Sequence, residues 1–137
     1  MSSGAATGAA TDGRPPDGVG PRVLVLEDEV LILMGLEFEL EDAGMRPVTA
    51  TSAAGALDII DREVPDVAVL DVNLGNGTTC EPVAAKLDEL GVPFVLHSGD
   101  LSRRGEFITR FDVPVIPKPA PGDQIAAALR ALRAPAA

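Results

Sequence analysis

Five short apolar runs, each followed by polar residues and each separated from the next by a longer stretch, restrict the fold of this chain more than any other feature. They are Arg22-Val23-Leu24-Val25-Leu26, Val48-Thr49-Ala50, Val67-Ala68-Val69-Leu70-Asp71, Val92-Pro93-Phe94-Val95-Leu96 and Val113-Pro114-Val115-Ile116. Continuous Val/Leu/Ile runs of this length are those of strands buried on both faces, whereas Val48-Thr49-Ala50 reads as a weak strand. The intervening stretches read as helices. The first covers roughly 29–43 and is stopped by Gly44 as its C′ residue; the second runs from Ser52 as N-cap to about Glu63, with Leu57, Ile59 and Ile60 apolar. A third, from about Cys80 to Leu90, spaces Val83, Ala84, Leu87 and Leu90 helically before Gly91. Leu101–Asp112 is a poor helix containing Gly105, expected to be the least stable element, and 122–133 presents Ile125, Ala128, Leu129 and Leu132.

Strands alternating with helices predict an α/β domain whose parallel sheet carries helices on both faces. With right-handed crossovers, five strands point to the flavodoxin-like, doubly wound order 2-1-3-4-5. The chain of 137 residues is long enough for one domain, expected over 22–133. Residues 1–21, rich in Gly, Ala, Ser, Thr and Pro, read as a disordered tail, and 134–137 as a short C-terminal one. With no Trp or Tyr and only four Phe, the core must be aliphatic. A formal charge of −10 argues against nucleic-acid or anionic-membrane partners. The single Cys80 excludes an internal disulfide, and no signal peptide or membrane-spanning run is visible, so a cytoplasmic location is expected.

In such a sheet the C-terminal ends of all strands share one rim, where open α/β sheets place their chemistry. Read in order, those ends supply Glu27 and Asp28, then Asp71, then Ser98, then Lys118. Carboxylates crowded together raise one another's pKa and call for a cation. Oxygen ligands fit a hard dication such as Mg²⁺, whereas no Cys/His grouping offers a zinc or copper site. Lys118 brings a point charge for a phosphoryl group, Ser98 a hydroxyl donor, and Asp71 a carboxylate able to attack phosphorus. Phosphoryl transfer asks chiefly for such positioning and neutralisation.

From Arg22 to Leu132 the chain resembles the receiver domain of two-component response regulators. The resemblance is carried by Val-Leu-Val-Leu-Glu27-Asp28-Glu29, Val-Ala-Val-Leu-Asp71-Val-Asn-Leu, Leu-His-Ser98-Gly and Pro117-Lys118-Pro119. It implies that Asp71 accepts phosphate from a histidine kinase or histidine phosphotransferase. It also implies that Glu27, Asp28 and Asp71, with the main-chain carbonyl of Asn73, hold Mg²⁺. Ser98 matches the switch hydroxyl and Lys118 the family lysine, with a cis Lys118-Pro119 bond. Pro93–Gly99 is similar to a degenerate PFxFATG signature, that of single-domain receivers linked to stress signalling in alphaproteobacteria. Val115 and Ala120 depart from the family, which commonly has an aromatic at each position, so coupling of the hydroxyl to a rotating ring is in question.

The expectation is therefore a stand-alone receiver, monomeric or weakly dimeric, that catalyses only its own phosphorylation and dephosphorylation. It would act through an unknown downstream protein as relay, sink or switch. One rival is a degenerate receiver serving purely as an interaction module; another is a small phosphatase with an aspartyl nucleophile. In the first helix, Ile32, Leu36, Leu40 and Ala43 read as the core stripe. Leu31, Met34 and Phe38 fall opposite, flanked by Glu37, Glu39 and Glu41, as a docking face for the phosphodonor's helices. His97, the chain's one histidine, is expected to be a satisfied or partly exposed strand-end residue, and Cys80 to cap or pack at a helix start.

Overall fold

The computed structural model describes residues 20–99 and 111–133. The expected tails at 1–21 and 134–137 and the weak helix at Leu101–Asp112 fall wholly or almost wholly outside these residues. In chain order the elements are β1 (Arg22–Leu26), α1 (Val30–Asp42), β2 (Arg46–Ala50), α2 (Ala53–Arg62) and β3 (Val67–Asp71). After these come α3 (Glu81–Glu89), β4 (Phe94–Ser98), β5 (Val115–Pro117) and α4 (Gly122–Arg133). All five strands are parallel and lie in the order 2-1-3-4-5. This is the flavodoxin-like sheet expected from the alternation.

Because successive strand residues face opposite sides, each apolar run feeds two cores. Val23, Val25, Val67, Val69, Val95 and Ile116 meet α1 and α4 through Leu36, Leu40, Ile125 and Leu129. Leu24, Leu26, Ala68, Leu70, Phe94 and Leu96 meet α2 and α3 through Ala56, Ile60, Val83 and Leu87. Burial on both sides is why these strands are unbroken apolar runs.

Helix ends follow local chemistry. Ser52 Oγ accepts from the Gly55 N–H at 3.1 Å and caps α2, as expected. Gly44, at φ 87°, turns the chain out of α1 where a side chain would be strained. Arg130 of α4 donates to the Ala43 carbonyl at 3.0 Å, joining the end of α1 to its neighbour. Cys80 is fully buried at the start of α3 and packs there without a side-chain cap bond.

Several boundaries differ from the sequence reading. β4 is Phe94–Ser98 instead of 92–96, and β5 is Val115–Pro117 instead of 113–116. Pro93 and Pro114 have no N–H to give a ladder, so only their carbonyls serve, accepting from Ala68 and Leu96. β2 extends back to Arg46. Leu90 lies beyond the end of α3, as its C-cap, and is exposed. In α1 the buried residues are Leu33, Leu36 and Leu40, while Ile32 and Ala43 are only partly buried. Val30 to Met34 is apolar without a break, so its periodicity has no unique phase and Leu33 was missed.

Truncating Leu40, which is fully buried, should cost about 2–5 kcal/mol as Leu40→Ala. Leu31→Ala, at an exposed site in the same helix, should stay within about 0.5 kcal/mol. Urea denaturation of both variants measures the contrast, and equal losses would contradict the assigned face.

Candidate functional site

Register alone brings the acids together. Leu26 of β1 pairs with Leu70 of β3, so Glu27 and Asp71 are the next residues along adjacent strands. Asp71 pairs with His97 of β4, and Ser98 pairs with Pro117 of β5. The Lys118 N–H then donates to the Ser98 carbonyl at 2.9 Å, carrying the ladder one residue further and bringing Lys118 to the same rim.

Lys118 Nζ lies 2.8 Å from Glu27 Oε1 and 3.1 Å from Asp71 Oδ2. Glu27, 1% exposed, uses its second oxygen to accept from the Glu29 N–H at 3.0 Å, which fixes the carboxylate beneath the start of α1. Oxygens of Glu27, Asp28 and Asp71 all approach within 4.8 Å of one another. By formal charge, three carboxylates against one ammonium leave a deficit of two, the charge that a dication would balance.

Electrostatics at the site reflect this crowding. Burial, then the neighbouring Glu27, pushes the Asp71 carboxyl up from 3.8 to about 7, against the opposing pull of Lys118. Burial alone would lower the Lys118 ammonium's pKa, but its bonds and attraction to Glu27 and Asp71 outweigh it, and the net direction is up. Lys118 therefore stays charged.

The remaining residues expected at the site lie around this cluster. Ser98 is buried at the end of β4. Asn73 is exposed two residues past Asp71, bridged to Thr79 in the β3–α3 loop. The Lys118-Pro119 bond is cis, as the resemblance implied. Leu31, Met34 and Phe38 are exposed on α1, at 85%, 58% and 68%.

The sequence reading missed two features. Gly75, at φ 84°, lies so close to Asp28 that a Cβ there would sit 3.4 Å from Oδ2; its loop therefore walls the acidic cluster. The signal was the Gly/Asn run after β3, which reads only as a turn. His97 is neither satisfied nor partly exposed: it is 3% exposed, and its Nε2 has no hydrogen-bond partner among the described residues. Burial and the charge of Lys118 lower its pKa to about 4, so the ring is neutral at pH 7.

The family model "Response regulator receiver domain" matches residues 23–130. The transcriptional regulatory protein KdpE of Mycobacterium tuberculosis is 31% identical over 111 residues, covering 80% of this chain and 49% of KdpE. The alginate biosynthesis transcriptional regulatory protein AlgB of Pseudomonas putida is 38% identical over 63 residues, 46% of this chain and 14% of AlgB. The chain thus spans half or less of the length of these curated relatives. The solution structure of SdrG from Sphingomonas melonis superposes with a TM-score of 0.71 at 38% identity, covering 86% of this chain and 99% of that one.

The raised Asp71 pKa fixes a sign for pH dependence. The folded state keeps a proton there that the unfolded chain releases, so this group's contribution to stability falls as pH rises from about 4 to about 7. Asp71→Asn should therefore melt above wild type at pH 8 in metal-free buffer, with the gain shrinking toward pH 5. Scanning calorimetry at both values measures this; a gain that grows toward pH 5 would contradict the assignment.

Proposed function

The chain belongs to the response regulator receiver family of two-component signalling, and on that premise we propose that Asp71 is its phosphoryl acceptor, charged by a histidine kinase or histidine phosphotransferase. The observation that carries this reading is Lys118 Nζ bridging Glu27 and Asp71 within an otherwise acidic cluster at the C-terminal rim. In the transfer, the Asp71 oxygen not held by Lys118 forms the bond to phosphorus as the phosphohistidine N–P bond breaks. The departing imidazole keeps the electron pair and takes up a proton. Lys118 is placed to follow the new negative charge, and the Ser98 hydroxyl at the adjacent strand end is a donor for it. Hydrolysis of the acyl phosphate returns the carboxylate, so the protein acts on itself alone, as relay, sink or protein–protein switch.

The donor set fits Mg²⁺: hard carboxylate oxygens with two uncompensated charges, walled by the Gly75 loop. Glu27, Asp28 and Asp71, with the carbonyl of Asn73, would hold it. Bound there, Mg²⁺ supplies charge neutralisation for the phosphoryl oxygens. The exposed Leu31, Met34 and Phe38 stripe is the face offered to the phosphodonor's helices.

Intact-protein mass spectrometry after acetyl phosphate and Mg²⁺ tests the acceptor. One phosphoryl group is expected on wild type and none on Asp71→Ala or in EDTA; equal labelling of both proteins would overturn the assignment, and turnover of a phosphate ester would favour a phosphatase instead. For the docking face, Met34→Ser with Phe38→Ser should slow transfer from a protein donor about tenfold or more, given the apolar area withdrawn. Labelling by acetyl phosphate should be unchanged, and equal slowing with both donors would refute the docking role.

A further inference from the structure

Between β3 and α3 the backbone enters a region that ordinary side chains avoid, and stays there for three residues. Gly75, Asn76 and Gly77 have φ of 84°, 53° and 74°. Only glycine, and to a lesser degree asparagine or aspartate, visits this left-handed region readily. Asn76 is the one non-glycine residue at positive φ among the described residues. The Thr78 N–H donates to the Gly75 carbonyl at 2.9 Å, which makes Asn76 and Gly77 the central pair of a tight turn. Positive φ at both central positions is the mark of the mirror-image turn that closes hairpins. The Thr78 hydroxyl donates to the same carbonyl at 2.7 Å.

The turn closes a miniature hairpin. The Leu74 N–H donates to the Thr78 carbonyl at 3.0 Å, and the Cys80 N–H to the Val72 carbonyl at 3.1 Å. These two bonds flank the antiparallel pair Asn73 and Thr79. In a pair flanked this way the two residues' own N–H and C=O groups point away from each other, so the Asn73 carbonyl is left outside the ladder. Its neighbours are anchored: Val72 and Leu74 are buried on either side of exposed Asn73. The Val72 N–H donates to the His97 carbonyl at 3.2 Å, and Thr79 Oγ1 accepts from the Glu81 N–H at 3.2 Å where α3 begins. The first glycine of the turn lies against Asp28, so the hairpin abuts the acidic cluster.

We propose that the Gly75-Asn76-Gly77 turn is a positioning device for the metal: it folds the hairpin before any ion arrives and so presets the Asn73 carbonyl at the rim that carries Asp71. The inference rests on the Mg²⁺ reading of the cluster and adds what sets the affinity there. Asn76 and Gly77 are positioning residues that touch neither ligand nor reacting atoms and act through the backbone of Asn73. A carbonyl on an unformed loop would bind more weakly by the fraction of time the loop is formed. The left-handed run is what keeps that fraction high.

The test measures Mg²⁺ affinity of the full chain by titration, with melting temperature recorded on the same samples. Gly77→Val acts through φ alone, because a Cβ at Gly77 would meet nothing within 4 Å. Gly77→Val and Asn76→Val should each raise the Kd for Mg²⁺ about five- to thirtyfold, the left-handed penalty of one residue expressed as a ratio. Asn76→Gly and Gly77→Asn, which tolerate positive φ, should stay within about threefold of wild type. Gly91→Val is the matched control: Gly91 has φ 73° and open space around it, but it lies between α3 and β4, away from the acids. It should lower the melting temperature and leave the Kd unchanged. Hydrogen exchange on wild type in EDTA should show the Leu74 and Cys80 amides already protected. Valine variants that bind as wild type does, an equal loss in Gly91→Val, or amides protected only once Mg²⁺ is added would overturn the proposal. Saturable Mg²⁺ binding by wild type beside indifferent valine variants overturns the positioning role alone, whereas no saturable binding by wild type overturns the metal reading and the proposal with it.

Discussion

The ammonium of Lys118, set between Glu27 and Asp71, is the contact on which the rest of the site depends. Glu27 is almost wholly buried, and burying a carboxylate without a partner is costly. Lys118 at 2.8 Å and the Glu29 N–H at 3.0 Å engage its two oxygens and hold it in place. One cation stands against three acids, and at Asp71 burial first, then the neighbouring Glu27, drives the carboxyl up to about 7. The same imbalance suits the site to a dication and to a phosphoryl group, each of which brings a charge pattern that the protein alone does not complete.

The sheet delivers this arrangement with little local device. Parallel pairing of β1 with β3, β3 with β4 and β4 with β5 lines up the strand ends, so the last residues of β3 and β4 and the first residues past β1 and β5 place acids, a hydroxyl and an amine at the rim. Two aliphatic cores, one on each face, hold the strands in that register. A slip of one residue would turn every strand side chain to the wrong layer, so the geometry of the acids is tied to burial of Val23, Leu24, Val69 and Leu70. The cost of holding like charges together is thereby borne by apolar packing far from them.

The strands and their order were legible because burial on both faces writes itself as unbroken apolar runs. Glu27, Asp28, Asp71, Ser98 and Lys118 were legible for a related reason: each closes such a run or follows it within two residues. The phase of α1 was not. Every position from Val30 to Met34 is apolar, so Leu33 and Ile32 compete for the core, and only packing against the sheet and α4 decides between them. The prolines at 93 and 114 moved strand starts because a missing N–H acts on the ladder and not on hydropathy. Gly75 against Asp28 and the buried, unpartnered ring of His97 were invisible for a different reason. Both depend on what lies across space from the residue, which neither composition nor spacing encodes.

Binding of Mg²⁺ to the acidic cluster is the most direct measurement. Titrating Mg²⁺ into the protein while following the backbone amide resonances of Asp28, Asp71 and Asn73 should give saturable shifts confined to that rim. Asp28→Asn and Asp71→Asn should each abolish them. Saturable binding unchanged in both variants, or no saturable binding in wild type, would contradict a cluster left two charges short of neutral and built to take a dication.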